Sequence, residues 1–181
     1  MNIEEVDVVF KGEREKITEN FSNLGTLGVF ILLIVYSILL MEFKSFIEPL
    51  IILLTIPFSL VGSMLGLWIT GKPLSFTALL GVISLMGIVV NNGILLIDYI
   101  KNAKKQGYTS KEACLNAVSL RFRPIMLSAI TTVMGLLPLA ASKSELFSPM
   151  AIALMSGLIV STFLTMIVIP VIYMGAEQFR E

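Results

Sequence analysis

The chain alternates between long apolar stretches and short polar segments, and the apolar stretches are long enough to cross a lipid bilayer. A membrane-spanning helix needs about 20 mostly apolar residues, each adding about 1.5 Å of rise. Stretches that meet this requirement lie near residues 24–41, 47–69, 74–97, 125–141 and 149–174. The pattern therefore predicts an all-α fold, a polytopic transmembrane bundle of about five spans that occupies residues 24–181.

The connection between the third and fourth spans is long and basic. Within it, Thr109 and Glu112 have the spacing of a capping box, which predicts a short amphipathic helix near 110–122 that ends before Pro124. Positive charge in short loops marks the cytoplasmic side of a membrane protein. We therefore expect this helix to lie along the cytoplasmic surface, with the N-terminus of the chain outside and the C-terminus inside.

Residues 1–23 are polar and acidic and precede the first span. Residues 6–10 have the composition of a strand, and residues 13–20 that of an amphipathic helical turn. A lone strand is not stable by itself. Its partners would lie on another chain, or the polypeptide begins inside a domain.

The composition narrows the function further. The chain is 56% hydrophobic and 14% charged, has no net charge, and contains no histidine and one cysteine, whereas soluble domains are about 25% charged. We expect no disulfide within the chain, no Cys/His metal site, no cofactor and no binding to nucleic acid. Without a histidine or an acid pair for proton transfer, the chain is not expected to be an enzyme.

Polar residues recur along the third predicted span. Thr77, Ser84, Asn91 and Asp98 are each seven residues apart, and Asn92 lies beside them. A helix drifts only about 20° per seven residues, so the four share one face, which we call the polar stripe. We expect the polar stripe to face other helices or a wet cavity rather than lipid. It either joins helices, through hydrogen bonds worth roughly 0.6 kcal/mol each, or forms a polar relay.

The fourth span offers further candidates. Arg121 and Arg123 precede it, and arginines at such a position ordinarily extend towards lipid headgroups. Ser128 lies seven residues after Arg121 and so on the same face. Thr131 and Thr132 could bond to carbonyls of their own helix or across to a neighbour.

Two motifs together resemble a known transporter family. GIVVNNGILLIDY, residues 87–99, and RFRPIMLSAITTVMGLLPLA, residues 121–140, are similar to segments of the resistance-nodulation-division (RND) transporters, in particular their hydrophobe/amphiphile efflux branch. Three further segments resemble the same family: FKGEREKI at residues 10–17, EFKSFIEPLIILLTIP at 42–57 and FLTMIVIPVIY at 163–173. The resemblance covers the chain from about Val8 to its end.

The resemblance implies a proton-driven drug-efflux permease of the bacterial inner membrane. The family is usually trimeric and works with a periplasmic adaptor and an outer-membrane channel in Gram-negative bacteria. This chain resembles the last five helices of the second half, and residues 1–23 the end of the extracytoplasmic porter portion. The resemblance also implies a proton relay that includes Asn91, Asn92, Arg121 and Ser128 and faces two aspartates of the first half. Asn91 replaces a lysine found in well-known pumps, so charge compensation would fall more on Arg121.

The predicted spans contain no pair of acids, and the one acid that we expect near membrane depth is Asp98. Proton coupling inside a bilayer needs a titratable group there. We therefore predict that the chain is inactive alone and needs the remaining half of the permease. The alternatives are a split subunit, a regulatory membrane protein that assembles with a pump, and a protein- or lipid-export relative in the same superfamily.

Overall fold

The computed structural model of the chain describes the backbone of residues 3–178 and the side chains of residues 23–177. This part of the chain forms six α-helices and contains no strand. The helices are α1 (Ile3–Phe43), α2 (Ile47–Leu53), α3 (Thr55–Ile69), α4 (Phe76–Lys105), α5 (Ser110–Ala140) and α6 (Phe147–Gln178). The predicted all-α fold is confirmed.

The described part of the chain contains five helical segments that are long and apolar enough to cross a membrane, as predicted. They are Asn23–Phe43, Ile47–Ile69, Phe76–Lys105, Ser110–Ala140 and Phe147–Glu177. The second of them comprises α2 and α3, which are separated by a break at Leu54. Pro57 explains the position of this break, because it has no N–H to donate to the carbonyl of Leu53 four residues earlier.

The capping box at the start of α5 forms as predicted. The Glu112 N–H donates to the Thr109 hydroxyl at 3.3 Å, and the Thr109 N–H donates to the Glu112 carboxylate at 3.1 Å. The predicted end of this helix before Pro124 was wrong, because α5 continues without interruption to Ala140. Pro124 has no N–H to donate to the carbonyl of Leu120, so a single hydrogen bond is lost. Membrane helices tolerate proline where other groups satisfy that carbonyl.

The predicted strand at residues 6–10 was also wrong, because these residues belong to α1. No second strand exists in the described residues to pair with it, and a helix satisfies the backbone hydrogen bonds within one segment. Met1 and Asn2 lie outside the described residues. The assignment of residues 1–23 to the end of a porter portion stays a prediction.

Helix α6 lies at the centre of the bundle, where it packs against α2, α3, α4 and α5, while α1 contacts α2 and α4. The closest packing is between α3 and α6. Gly62 and Gly66 have the small-xxx-small spacing that lets membrane helices approach closely, and a Cβ on Gly62 would lie 2.7 Å from the Cβ of Val160. The Ser63 hydroxyl donates to the Ala153 carbonyl across this contact at 2.8 Å. Small residues thus fix the bundle around α6.

Candidate functional site

The polar stripe of α4 faces away from the other described helices. Ser84, Asn91 and Asp98 are exposed and Thr77 is half-buried. A Cβ added to Gly87, on the same face, would meet nothing within 4 Å. Ser84, Gly87, Asn91 and Asp98 thus lie on one exposed side of α4, and no side chain described in residues 23–177 covers this side.

Most groups of the stripe bond locally. The Ser84 hydroxyl donates to the Leu80 carbonyl at 2.9 Å, and the Asp98 carboxylate accepts from the Asn102 amide at 3.2 Å. Thr77 shares a 2.9 Å hydrogen bond with the hydroxyl of Ser75, the N-cap of α4. Asn91 differs from these three, because its amide makes no hydrogen bond with the described residues. Asn91 is the member of the stripe left free to bind another group.

The second asparagine points into the bundle. Asn92 is 7% exposed and lies on the α4 face that carries Leu85 and Val89. These two residues pack with Ala129 of α5 and Leu158 of α6. The adjacent asparagines therefore occupy different surroundings, and Asn92 lies on the face that contacts α5 and α6.

Arg121 lies against α4 instead of extending freely outward. Its Cζ atom is 5.5 Å from the centroid of the Tyr99 ring. Its Nε atom is buried and has no hydrogen-bond partner among the described residues. Arg123, two residues later, is exposed. The two arginines therefore have different environments, and Arg121 is the one held at the contact between α4 and α5.

The hydroxyl residues further along α5 do not join helices to each other. Thr131 donates to the Leu127 carbonyl at 2.8 Å, and Thr132 donates to the Ser128 carbonyl at 2.9 Å. Ser128 is itself exposed. Within the described residues no hydrogen bond links Ser128, Asn91 and Arg121, so a relay through these residues stays a prediction that needs further groups.

That Asp98 is the one acid near membrane depth stays a prediction, but a second acid, Glu48, also lies within a predicted span, at residues 47–69. Asp98 is exposed, whereas Glu48, in the first turn of α2, is 5% exposed. Its Oε1 lies 3.4 Å from the Nζ of Lys101. The Lys101 ammonium also donates to the Phe43 carbonyl at 2.9 Å. It lies 5.2 Å from the centroid of the Phe43 aromatic ring. Sequence reasoning missed this pair because its members lie in different spans; an acid next to a proline in an apolar run was the available signal.

A second ion pair lies at the same end of the bundle. Lys104 of α4 contacts Glu177 of α6, and the Ser110 hydroxyl donates to the other carboxylate oxygen of Glu177 at 2.6 Å. The two ion pairs connect α2, α4 and α6, and the Ser110 hydrogen bond adds α5. They have a structural role that the spacing of charges along the chain did not indicate.

Replacing Lys101 with methionine should destabilise the folded chain by about 2–3 kcal/mol. The change leaves the Glu48 carboxylate buried without its cation, which costs about 3–5 kcal/mol where both partners are fully buried, and the Lys101 side chain is 26% exposed. Unfolding in a denaturing detergent, followed by circular dichroism, measures the loss. Lys105→Met, at an exposed position one turn further along α4, is the control. A Lys101→Met loss no larger than the control loss would contradict the prediction, whereas Glu48→Gln combined with Lys101→Met should recover part of it.

The fold and these polar positions define a polytopic membrane protein whose α4 carries an uncovered polar face. Residues 3–177 match the model of the AcrB/AcrD/AcrF family. The chain therefore belongs to this family of RND permeases.

Relatives and solved structures agree with this assignment. The swarming motility protein SwrC of Bacillus subtilis is 36% identical over 174 residues, which are 94% of this chain and 16% of SwrC. The multidrug resistance protein MdtC of Escherichia coli is 35% identical over 175 residues, 94% of this chain and 17% of MdtC. Crystal structures of a heavy metal efflux pump superpose with TM-scores of 0.82 and 0.72 at 27% and 29% identity, covering 91% and 88% of this chain and 17% of theirs. The chain thus spans about a sixth of the length of these relatives, none of which is named as an enzyme.

Proposed function

We propose that this chain forms part of the membrane portion of a proton-driven RND permease that exports drugs and other amphiphiles. The permease lies in the bacterial inner membrane, with the N-terminus of this chain outside and its C-terminus in the cytoplasm. Membership of the family and similarity to the multidrug resistance protein MdtC support this proposal. In the whole assembly the permease is a trimer that binds a periplasmic adaptor and, in Gram-negative bacteria, an outer-membrane channel.

The observation that carries the proposal is the uncovered polar stripe on α4. Polar side chains within a membrane span face a bundle interior or a wet cavity, because lipid offers them no partners. Ser84, Gly87 and Asn91 also have the small and polar character of helix contacts in membranes. The stripe is therefore the face on which another helix of the permease packs.

The proton chemistry requires a group from outside this chain. The Asn91 amide can hydrogen-bond to a carboxyl group in either protonation state, but it cannot neutralise a carboxylate. Arg121 can, because a guanidinium carries a positive charge. In this scheme acidic residues on the opposing helix take up and release the proton, Asn91 binds them, and Arg121 balances their charge when they ionise.

Asn92 and Ser128 complete the proposed relay. Asn92 is buried on the side of α4 that contacts α5 and α6, and in this scheme it connects Asn91 to that side. Ser128 is exposed on the same face of α5 as Arg121 and offers a hydroxyl to the opposing helix. The chain alone lacks the proton carrier and is inactive by itself.

The native mass of the chain purified in mild detergent, with sequencing of what copurifies, tests the proposal. We expect a complex larger than the 19.9 kDa chain, containing a membrane protein with intramembrane aspartates. A monodisperse complex with an intact pump that already has both of its halves would indicate a regulatory protein instead. A lone chain that binds no such partner when coexpressed with one would overturn the proposal.

Asn91→Leu distinguishes a relay from a purely structural contact. If Asn91 hydrogen-bonds to the proton carrier, transport by the assembled permease should fall about 10- to 100-fold, as expected for losing a hydrogen bond to a charged group. Expression in the membrane should change little. Dye efflux and immunoblotting measure the two quantities, with Leu95→Ala on the same face as the control. Equal losses of transport and expression would support the structural role.

A further inference from the structure

We propose that Tyr99 is a positioning residue for Arg121, whose guanidinium it holds against α4 through a cation–π contact. The inference rests on the proposed function, in which Arg121 balances the charge of the proton carrier. Tyr99 itself touches neither the proton nor the exported compound. It determines where the charge of Arg121 is available.

The geometry of the pair supports this role. Cations within about 6 Å of an aromatic centroid are attracted to the face of the ring, and the Arg121 Cζ atom is 5.5 Å from the Tyr99 centroid. Tyr99 is half-buried and packs against the apolar core cluster that includes Ile100 and Ala103. The ring is therefore supported by the bundle, and it offers Arg121 a fixed surface.

The buried Nε of Arg121 supports the same conclusion. A long basic side chain near the end of a membrane span ordinarily extends its polar atoms into the headgroup region. Arg121 instead has a buried Nε without a partner among the described residues, which is costly. Attraction to the Tyr99 ring offsets part of this cost and holds the side chain against α4.

A neutral ring suits this purpose better than an acid would. A carboxylate beside Arg121 would cancel the charge that the proton carrier needs, whereas an aromatic ring leaves that charge available. Asp98, the residue before Tyr99, is exposed and accepts a hydrogen bond from Asn102 at 3.2 Å. The ion pairs within the described residues involve Lys101 with Glu48 and Lys104 with Glu177, so Arg121 is in neither.

Arginine side-chain NMR of the full chain in lipid nanodiscs tests the contact directly. The Arg121 Nε–H signal, assigned with Arg121→Lys, should carry a ring-current shift that Tyr99→Phe retains and Tyr99→Leu removes. Exchange of this proton with water should also be about 2- to 30-fold faster in Tyr99→Leu, the range that a cation–π contact implies. The exposed Arg123 is an internal control. A signal that Tyr99→Leu leaves unshifted would overturn the proposal.

Efflux by the assembled permease separates this inference from the proposed function. If the proposed function and the positioning role are both correct, Arg121→Ala abolishes efflux and Tyr99→Leu lowers it about 2- to 30-fold. Tyr99→Phe keeps the ring and therefore retains efflux. If Arg121→Ala abolishes efflux but Tyr99→Leu does not change it, the positioning role is wrong and the role of Arg121 stands. If Arg121→Ala leaves efflux intact, the proposed function of Arg121 fails, and the NMR signal still decides whether Tyr99 holds it.

Discussion

Replacing Gly157 with leucine should prevent stable packing of α6 against α3. A Cβ at this position would lie 2.9 Å from the backbone carbonyl oxygen of Ser59 and closer still to the side chains of Leu85 and Ser63. A backbone carbonyl cannot move aside without shifting the helix. Inserting atoms into a well-packed core typically costs about 1–3 kcal/mol, and a leucine adds four carbons here, so we expect a loss of at least about 3 kcal/mol.

Detergent-induced unfolding of the purified chain, followed by circular dichroism, measures this loss. Gly135→Leu in α5 is the matched control, because a Cβ there would meet nothing within 4 Å. Leucine forms helices better than glycine, by up to about 1 kcal/mol, so the control should be neutral or stabilising. A Gly157→Leu variant as stable as the Gly135→Leu variant would contradict the close contact between α3 and α6.

Replacing Arg121 with alanine should lower proton-coupled efflux by the assembled permease at least about 100-fold. In the proposed mechanism this change leaves an ionised carboxyl in the membrane without a cation. An uncompensated buried charge costs about 3–5 kcal/mol, and about 1.4 kcal/mol is a factor of ten in rate. The helices of the chain should still insert, because their apolar stretches are unchanged.

Dye efflux and proton uptake by vesicles, each normalised to the amount of permease in the membrane, measure the effect of Arg121→Ala. Arg123→Ala is the control, since that side chain is exposed and two residues away on α5. Its efflux should stay within about twofold of the unchanged permease, as expected for an exposed charge. Efflux that is retained in Arg121→Ala would contradict the charge-balancing role and indicate that Arg121 only contacts lipid headgroups.

Local chemistry was readable from the sequence wherever neighbours along the chain determine the outcome. The five apolar stretches predicted the spans, because a span is recognised by its apolar length alone, which must match the thickness of a bilayer. The capping box of Thr109 and Glu112 was predicted for the same reason, since both groups lie in one helical turn. The seven-residue repeat placed Ser84, Asn91 and Asp98 on one face of α4.

Two local predictions failed because the sequence signal was ambiguous over a few residues. Residues 6–10 have the composition of a strand, yet a strand needs a partner and a helix does not. Pro124 ordinarily ends a helix, yet α5 passes through it. A single missing N–H is a small loss within a long membrane helix.

The candidate site was also predicted only in part from the sequence. The resemblance to RND transporters directed attention to Asn91, Asn92, Arg121 and Ser128, but it could not show that Asn91 is exposed while Asn92 is buried. It also did not indicate Tyr99, because a contact between a ring on α4 and a guanidinium on α5 depends on how the two helices pack.

The sequence by itself determined that this protein is a helical membrane protein with a polar face on α4, because apolar length and helical period are properties of one segment. The tertiary structure alone decided which groups meet across segments. It paired Glu48 with Lys101, brought Gly157 against α3 and left the polar stripe uncovered. These contacts depend on the distance and rotation between helices, which side chains on both partners set together.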